Sequence, residues 1–304
     1  MRKSSPTRKA TLVDVARAAG VGPMTVSRTI NGHPYVSPAT AKRVQAAIRK
    51  LGYRPNQAAR EAGYTVWLAV SDADPATERA EIEQMTNHPV DGIVLAPVNS
   101  RSKHLKVAAA GSIPIVTIDR PIEIATTDSV EVENQTGVQL AIEHLRSHGH
   151  RKIVCVATDF HLRPIKLRVE AYERCLQSAR LPAKSLVLQD AESALPALKS
   201  LFTSRKHPDA LFATNNMCTI AVIQSLQALG IRIGRDVALV GFDDVDFYTL
   251  VRPSITSVSQ PVAELGRTAF RLLLDRIQGR GPSSSVRVTL PVTLVLRESC
   301  GCKK

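Results

Sequence analysis

Residues 11–32 read TLVDVARAAGVGPMTVSRTING, and residues 36–56 continue as VSPATAKRVQAAIRKLGYRPN. Thr11-Leu-Val-Asp14 has the S/T-x-x-D/E spacing of a capping box, so Thr11 caps a helix whose buried stripe is Leu12, Val15, Ala16 and Ala19. Gly20-Val21-Gly22 breaks that helix. Pro23 opens a second, which runs through Thr25, Val26 and Ile30 and ends at Asn31-Gly32. Two short helices around a glycine turn make a helix-turn-helix. Ser37-Pro38 starts a third helix with Val44, Ala47, Ile48 and Leu51 on its inner face, and Gly52 stops it. In such a unit the second helix enters the major groove and its N-terminal side chains meet base edges. Pro23 and Met24 stand there, with Arg28 one turn on. An arginine can donate two bonds to one guanine, whereas Thr25, Ser27, Asn31, Tyr53 and Asn56 are short donors suited to phosphate.

The charge distribution agrees with that reading. Residues 1–62 hold 12 Lys/Arg against Asp14 and Glu61, a net of +10, out of +13 for the 304-residue chain. The remaining 242 residues are nearly neutral, so a polyanion-binding head is joined to a neutral body. Hydrophobic residues are 44% of the chain, enough for a sizeable core, and aromatics only 4%, too few for a surface that stacks many unpaired bases. No apolar run reaches membrane-spanning length, and the N-terminus lacks a secretory signal. Cys155, Cys175, Cys218, Cys300 and Cys302 are odd in number and scattered, which fits reduced thiols in a cytoplasm.

Beyond residue 63, strand-like runs alternate with helical stretches. The runs are Thr65–Val70, Gly92–Ala96, Pro114–Ile118, Ser129–Val132, Lys152–Ala157, Leu186–Gln189, Ala210–Ala213 and Val237–Phe242. This alternation, with near-continuous apolar strands, predicts doubly wound parallel sheets covered on both faces. Ligands then bind beyond the C-terminal strand ends, where Asp119, Asn215 and the Asp243-Asp244 pair fall.

The motifs A-G-V-x-x-x-T-V-S-R and L-G-Y-x-P-N, in that order, closely resemble the LacI family of bacterial repressors. The resemblance extends through VDGIVLAP (90–97), IPIVTIDRP (113–121), VEN (132–134), AIEHLRSHGHRKI (141–153), RVEAY (168–172), ATNN (213–216), VGFDD (240–244), VSQPVAELG (258–266) and LRES (296–299). It implies an α/β protein: an all-α helix-turn-helix head over 1–62, then a two-lobed, periplasmic-binding-protein-like core over 63–304. Lobe one would take residues 63–131 and 260–282, and lobe two residues 132–259 and 283–304. The family implies that Pro23, Met24 and Arg28 read operator bases, with Leu12 close by. Thr11, Thr25, Ser27, Asn31, Ser37, Tyr53 and Asn56 would lie along the DNA backbone, and Tyr35 completes the DNA-contacting set. Because proline offers only apolar contact, Arg28 is expected to carry most direct hydrogen bonding in the recognition helix.

For the core, the resemblance implies a small effector in the cleft. Arg168 would grip a hydroxyl or carboxylate, and Asn215 matches the Asn of an A-x-N-D motif, although Asn216 departs from its Asp. Asp243 would accept from ligand hydroxyls, and Asp119 would face the cleft. These groups suit a polyhydroxylated ligand such as a sugar or sugar acid. The expected protein is a cytoplasmic, homodimeric transcriptional regulator, most simply a repressor, that binds a near-palindromic operator duplex.

The resemblance also exposes a gap. Asn56-Gln-Ala-Ala-Arg60 runs straight into Glu61-Ala-Gly-Tyr64, so about one β–α unit, roughly 35–40 residues, is missing from the start of the core (more than a bare strand and helix need). Ala62 then stands where a hinge leucine would wedge into the minor groove. Alternatives are an effector-insensitive or non-functional truncated protein, or a soluble ligand binder. An enzyme is not expected: G-x-S-x-G, P-loop and H-E-x-x-H motifs are absent. His144 and His148, four apart, lack further ligands at metal spacing, so neither metal nor cofactor is expected.

Overall fold

The computed structural model describes residues 12–22, 25–26, 29, 36–51, 59, 62–87, 90–123, 125–158, 162–190, 192–204 and 207–301. The chain divides into two compact units, 1–87 and 88–304.

In the first unit, α1 spans Leu12–Ala19 and α2 spans Pro38–Leu51. Gly20, at φ +63°, ends α1: its N–H bonds to the Arg17 carbonyl and that of Val21 to Ala16. A residue with a Cβ would strain at that left-handed turn. Between the two helices Thr25, Val26 and Thr29 are helical. Val15, Ala16, Ala19, Val26, Val44 and Ala47 form one small core, with Val21, Ile48 and Leu51 against it. This matches the stripes read from the sequence, except Leu12, whose side chain lies outside the described part. Ser37 caps α2, its Oγ accepting the Thr40 N–H at 3.2 Å. A further helix, α3, covers Pro75–Asn87.

The second unit holds two sheets. The first has the order β1-β2-β3-β9, all parallel, from Ile93–Leu95, Ile115–Ile118, Asp128–Val132 and Arg287–Leu290. The second has the order β10-β8-β7-β6-β4-β5. Its strands are β4 (Ile153–Ala157), β5 (Lys184–Val187), β6 (Ala210–Ala213), β7 (Ala238–Phe242), β8 (Thr256–Ser259) and β10 (Thr293–Val295). Only β10 runs antiparallel. Helices α4 (Lys103–Ala109), α5 (Asn134–Ser147), α6 (Arg163–Ser178), α7 (Ala194–Thr203), α8 (Asn216–Ala228), α9 (Phe247–Leu250) and α10 (Val262–Ile277) complete the unit. The α5 helix packs on the second sheet and on α6, and α10 on β1, β2 and β3. Strands β4, β6 and β7 are buried along their whole length, as expected of parallel strands covered on both faces.

Two expectations need correction. Thr65–Val70 belongs to no strand, and Trp67, Leu68 and Val70 are substantially exposed. A strand exists through its ladder partners, and β-prone residues do not make one alone. The two compact units part at 87/88, whereas the sequence reading places the head–core boundary at 62/63. The last lobe crossing also lies later than residue 282. Strand β9 pairs with β3, Val130 opposite Val288, so 283–290 belong to lobe one, and the chain crosses at Pro291-Val292. The short strands β8, β9 and β10 were not read from the sequence, and β5 starts two residues earlier than predicted.

Gly137 shows how tightly α5 sits on the second sheet. A Cβ there would come 2.8 Å from Phe242 Cε2 and 2.9 Å from Val258 Cγ1. Gly→Ala inside a helix ordinarily gains up to about 1 kcal/mol, but overpacking a rigid core costs about 1–3 kcal/mol. Gly137→Ala is therefore expected to lower stability by about 1–2 kcal/mol in urea unfolding; a variant as stable as the parent would show that the helix can lift away from the sheet.

Candidate functional site

Between the lobes of the second unit lies a cavity of about 540 Å³, within the ordinary size of a small-molecule site. Ile118, Asp119, Arg120, Leu265 and Gly266 line it from lobe one, and Leu162, Ile165, Arg168, Asn215, Asn216 and Asp243 from lobe two. The four residues singled out for an effector, Asp119, Arg168, Asn215 and Asp243, thus meet in one cleft.

Each stands where a parallel strand or the helix after it meets the cleft. Asp119 follows β2 and Asp243 follows β7, and both have left-handed backbones, φ +65° and +71°. Such a conformation costs a non-glycine residue about 1–3 kcal/mol and is held by its surroundings. The Asp119 N–H is fixed by the Val130 carbonyl at 3.0 Å. Arg120 donates to Asp119 Oδ2 at 3.2 Å and to the Val98 carbonyl at 3.2 Å. Asn215 caps α8: its Oδ1 accepts the Cys218 N–H at 2.8 Å, and its Nδ2 donates to Thr158 Oγ1 at 3.2 Å.

Arg168 is 2% exposed and more deeply committed to the fold than its motif suggests. Nε donates to Asn134 Oδ1 at 2.7 Å and Nη1 to the Thr214 carbonyl at 2.7 Å. The guanidinium carbon lies 3.6 Å from the centre of the Phe242 ring, a cation–π contact. Asp243 Oδ1 is 3.7 Å from Nη1. Burial lowers the Arg168 pKa, and the charges of Asp243 and Asp119 oppose that shift. Asp244 turns to Arg297 instead, which grips both its oxygens at 2.7 and 3.0 Å, while Ser257 Oγ donates to it at 2.7 Å.

The sequence reading missed Arg120, Arg297, Asn134 and Gln260 as partners in this site. Asn134, Gln260 and Arg297 lie inside VEN, VSQPVAELG and LRES, but a motif string carries no sign of which side chains meet. Among the described residues no thiol lines the cleft. Burial pushes the Cys155 pKa well up and that of Cys218 up to about 11.

Of the twelve residues expected to contact DNA, the structure describes three. Leu12 opens α1, the Thr25 carbonyl accepts the Thr29 hydroxyl at 2.7 Å, and Ser37 caps α2. Thr11, Pro23, Met24, Ser27, Arg28, Asn31, Tyr35, Tyr53 and Asn56 lie outside the described residues.

Residues 11–56 match the bacterial regulatory proteins of the lacI family, and residues 142–300 match the periplasmic binding protein-like domain. The HTH-type transcriptional regulator PtxS of Pseudomonas aeruginosa is 32% identical, with 96% of each chain covered. The chain belongs to the LacI family. These relatives are transcriptional regulators, not enzymes, and the LacI-family chain is a DNA-binding regulator of the same type. Among solved structures, the complex of the transcriptional regulator CelR with cellobiose is 30% identical and covers 95% of this chain and 99% of that one, with a TM-score of 0.70. A putative ribose operon repressor from Burkholderia thailandensis is 28% identical over 78% of this chain and 88% of that one, with a TM-score of 0.69. The PtxS alignment spans 330 positions, whereas 96% of 304 residues is about 292, so about 38 alignment positions have no counterpart in this LacI-family chain. Among the described residues no helix is long and apolar enough to cross a membrane.

Proposed function

We propose that this LacI-family regulator binds a near-palindromic operator as a homodimer and responds to a small polyhydroxylated effector in the interlobe cleft. The convergence of Asp119, Arg168, Asn215 and Asp243 on one cavity carries the effector reading. Each carboxylate of the cleft already has a guanidinium: Asp119 has Arg120, Asp243 has Arg168 and Asp244 has Arg297. A neutral polyol adds hydrogen bonds to such a site without disturbing its charge balance, and this favours a sugar over a sugar acid. Thermal melts with ribose, cellobiose and gluconate test the choice. A shift with gluconate alone would reverse it.

The operator reading rests on the head. Two heads on a dimer read two half-sites, so selection from a random duplex pool at near-physiological salt should yield a palindrome. Arg28→Ala should cost about 1–3 kcal/mol of preference at one base pair per half-site while leaving salt-sensitive binding in place. An unchanged selected motif would remove Arg28 from the reading set.

We further place the missing alignment positions at the start of the core, near residues 60–64. Two features support this: the run Thr65–Val70 belongs to no strand, and β1 stands at the end of its sheet. With Ala62 and Glu61 in the hinge region, minor-groove wedging is weak, and the bend induced in operator DNA should be small by gel mobility of circularly permuted probes.

A further inference from the structure

Gln260 lies in the crossing between Ser259, which ends β8 in lobe two, and Val262, which opens α10 on lobe one. Its backbone carbonyl accepts the Val262 N–H at 2.9 Å, so the residue is fastened to the first turn of α10. Its side chain points the other way: Nε2 donates to Asp243 Oδ1. One residue thus ties the base of a lobe-one helix to the lobe-two carboxylate that faces the cavity. The surroundings of that carboxylate are crowded. Arg168 Nη1 stands 3.7 Å from Oδ1, and the Asn216 N–H reaches Oδ2 at 3.4 Å. A carboxylate oxygen offers about two acceptor sites. With the Gln260 amide on Oδ1 and the Arg168 guanidinium beside it, a ligand hydroxyl that bonds to this oxygen must compete with Gln260.

We propose that Gln260 is the positioning residue through which occupancy of the cleft reaches the lobe crossing. It holds Asp243 while bonded to it, and a donor group of the ligand that takes Oδ1 releases it, loosening the start of α10. The inference rests on the cleft being the effector site. It adds the element that feels the effector and the bond that is exchanged.

Three measurements on the full chain test it, two of them without ligand. Gln260→Leu removes the donor at similar volume. Amide hydrogen exchange over residues 260–265 should then quicken at least about tenfold while β7 and β8 stay as protected as before, and Asp243→Ala should quicken the same segment. Unchanged exchange in either variant overturns the proposal. Gln260→Glu places a carboxyl beside Asp243, with Arg168 the nearest cation, Asp119 across the cleft and Asp244 held by Arg297. At low pH the two carboxyls share a proton, and at high pH they repel. The melting-temperature deficit of this variant should grow from pH 5 to pH 8 and stop growing when Asp243→Ala is added. A constant deficit would mean that the two side chains do not meet. Finally, with ribose and cellobiose as probes, the ratio of operator affinities with and without sugar should fall toward one in Gln260→Leu. A ratio equal to the parent's overturns the proposal. If neither sugar shifts the parent's melting, the effector reading fails for those sugars, and the exchange and pH experiments still decide the role of Gln260.

Discussion

Asp128→Ala should destabilise the protein by about 3 kcal/mol, the lower end of the range for breaking a buried ion pair. Asp128 opens β3 with its side chain 3% exposed. Arg276 of α10 holds both its oxygens, at 2.7 and 2.8 Å, and the Val286 N–H adds a third bond at 2.7 Å. The same guanidinium donates to the Pro282 carbonyl, and to that of Ser284 at 2.7 Å. Strand β3, helix α10 and the turn that leads into β9 therefore share one ionic knot. Removing the carboxylate leaves Arg276 partly buried without its counter-charge and the Val286 N–H without its acceptor, while the turn keeps its two carbonyl contacts to Arg276 and the bond from the Ser129 N–H to the Val286 carbonyl. Urea unfolding is the measurement, and a loss below about 1 kcal/mol would show that the knot is replaceable by water. The pH dependence has a definite sign. Burial works against ionisation of Asp128, yet the bonds from Arg276 and Val286, with the Arg276 charge, bring its pKa below the usual carboxylate range. Its stabilisation is complete above about pH 4 and disappears as the pH falls through the lower folded value. Asp128→Ala should lose less stability than the parent on acidification through that window.

Arg168→Met should cost at least about 3 kcal/mol and lower affinity for any cleft ligand at least about a hundredfold. Methionine fills much of the volume but leaves the Asn134 Oδ1 and Thr214 carbonyl without their donor, and both residues are buried. The contact with the Phe242 ring goes as well, and Asp243 loses its nearest guanidinium. Arg168→Lys should recover less than half of the loss, because an ammonium cannot serve two acceptors in fixed directions while lying flat on a ring. Thermal melts and calorimetric titration together decide. A methionine variant that melts with the parent would mean that the guanidinium adds nothing net to the fold.

Much of this site was legible in the sequence because parallel sheets place strand ends on one side. Once β2 and β7 were located, Asp119 and Asp243 fell at C-terminal strand ends, and the family resemblance put both ends at one cleft. The head was legible because its core is local: Val15, Ala16, Ala19, Val26, Val44 and Ala47 all come from one short stretch of chain. What could not be read depends on partners distant in the chain. Arg297 meets Asp244 across 53 residues and Arg276 meets Asp128 across 148. The lobe boundary was misplaced for the same reason, since whether Arg287–Leu290 joins one sheet or the other depends on β3 and not on its own residues. Thr65–Val70 failed in the opposite sense. Its composition suits a strand, but a strand is a property of pairs.

The late crossing at Pro291-Val292 has a consequence for synthesis. Lobe one receives its covering helix α10 and its last strand β9 only after all of β4 to β8 has been made. At about 5–20 residues per second, the 154 residues between the end of β3 and the start of β9 keep the ribosome busy for roughly eight to thirty seconds. Until α10 is made, β1, β2 and β3 wait with the face it covers bare, exposed to chaperones and to neighbouring chains. The vulnerable moment of this protein therefore falls in the middle of translation, and slowing or speeding the ribosome across the second lobe should change how much of the chain is recovered folded.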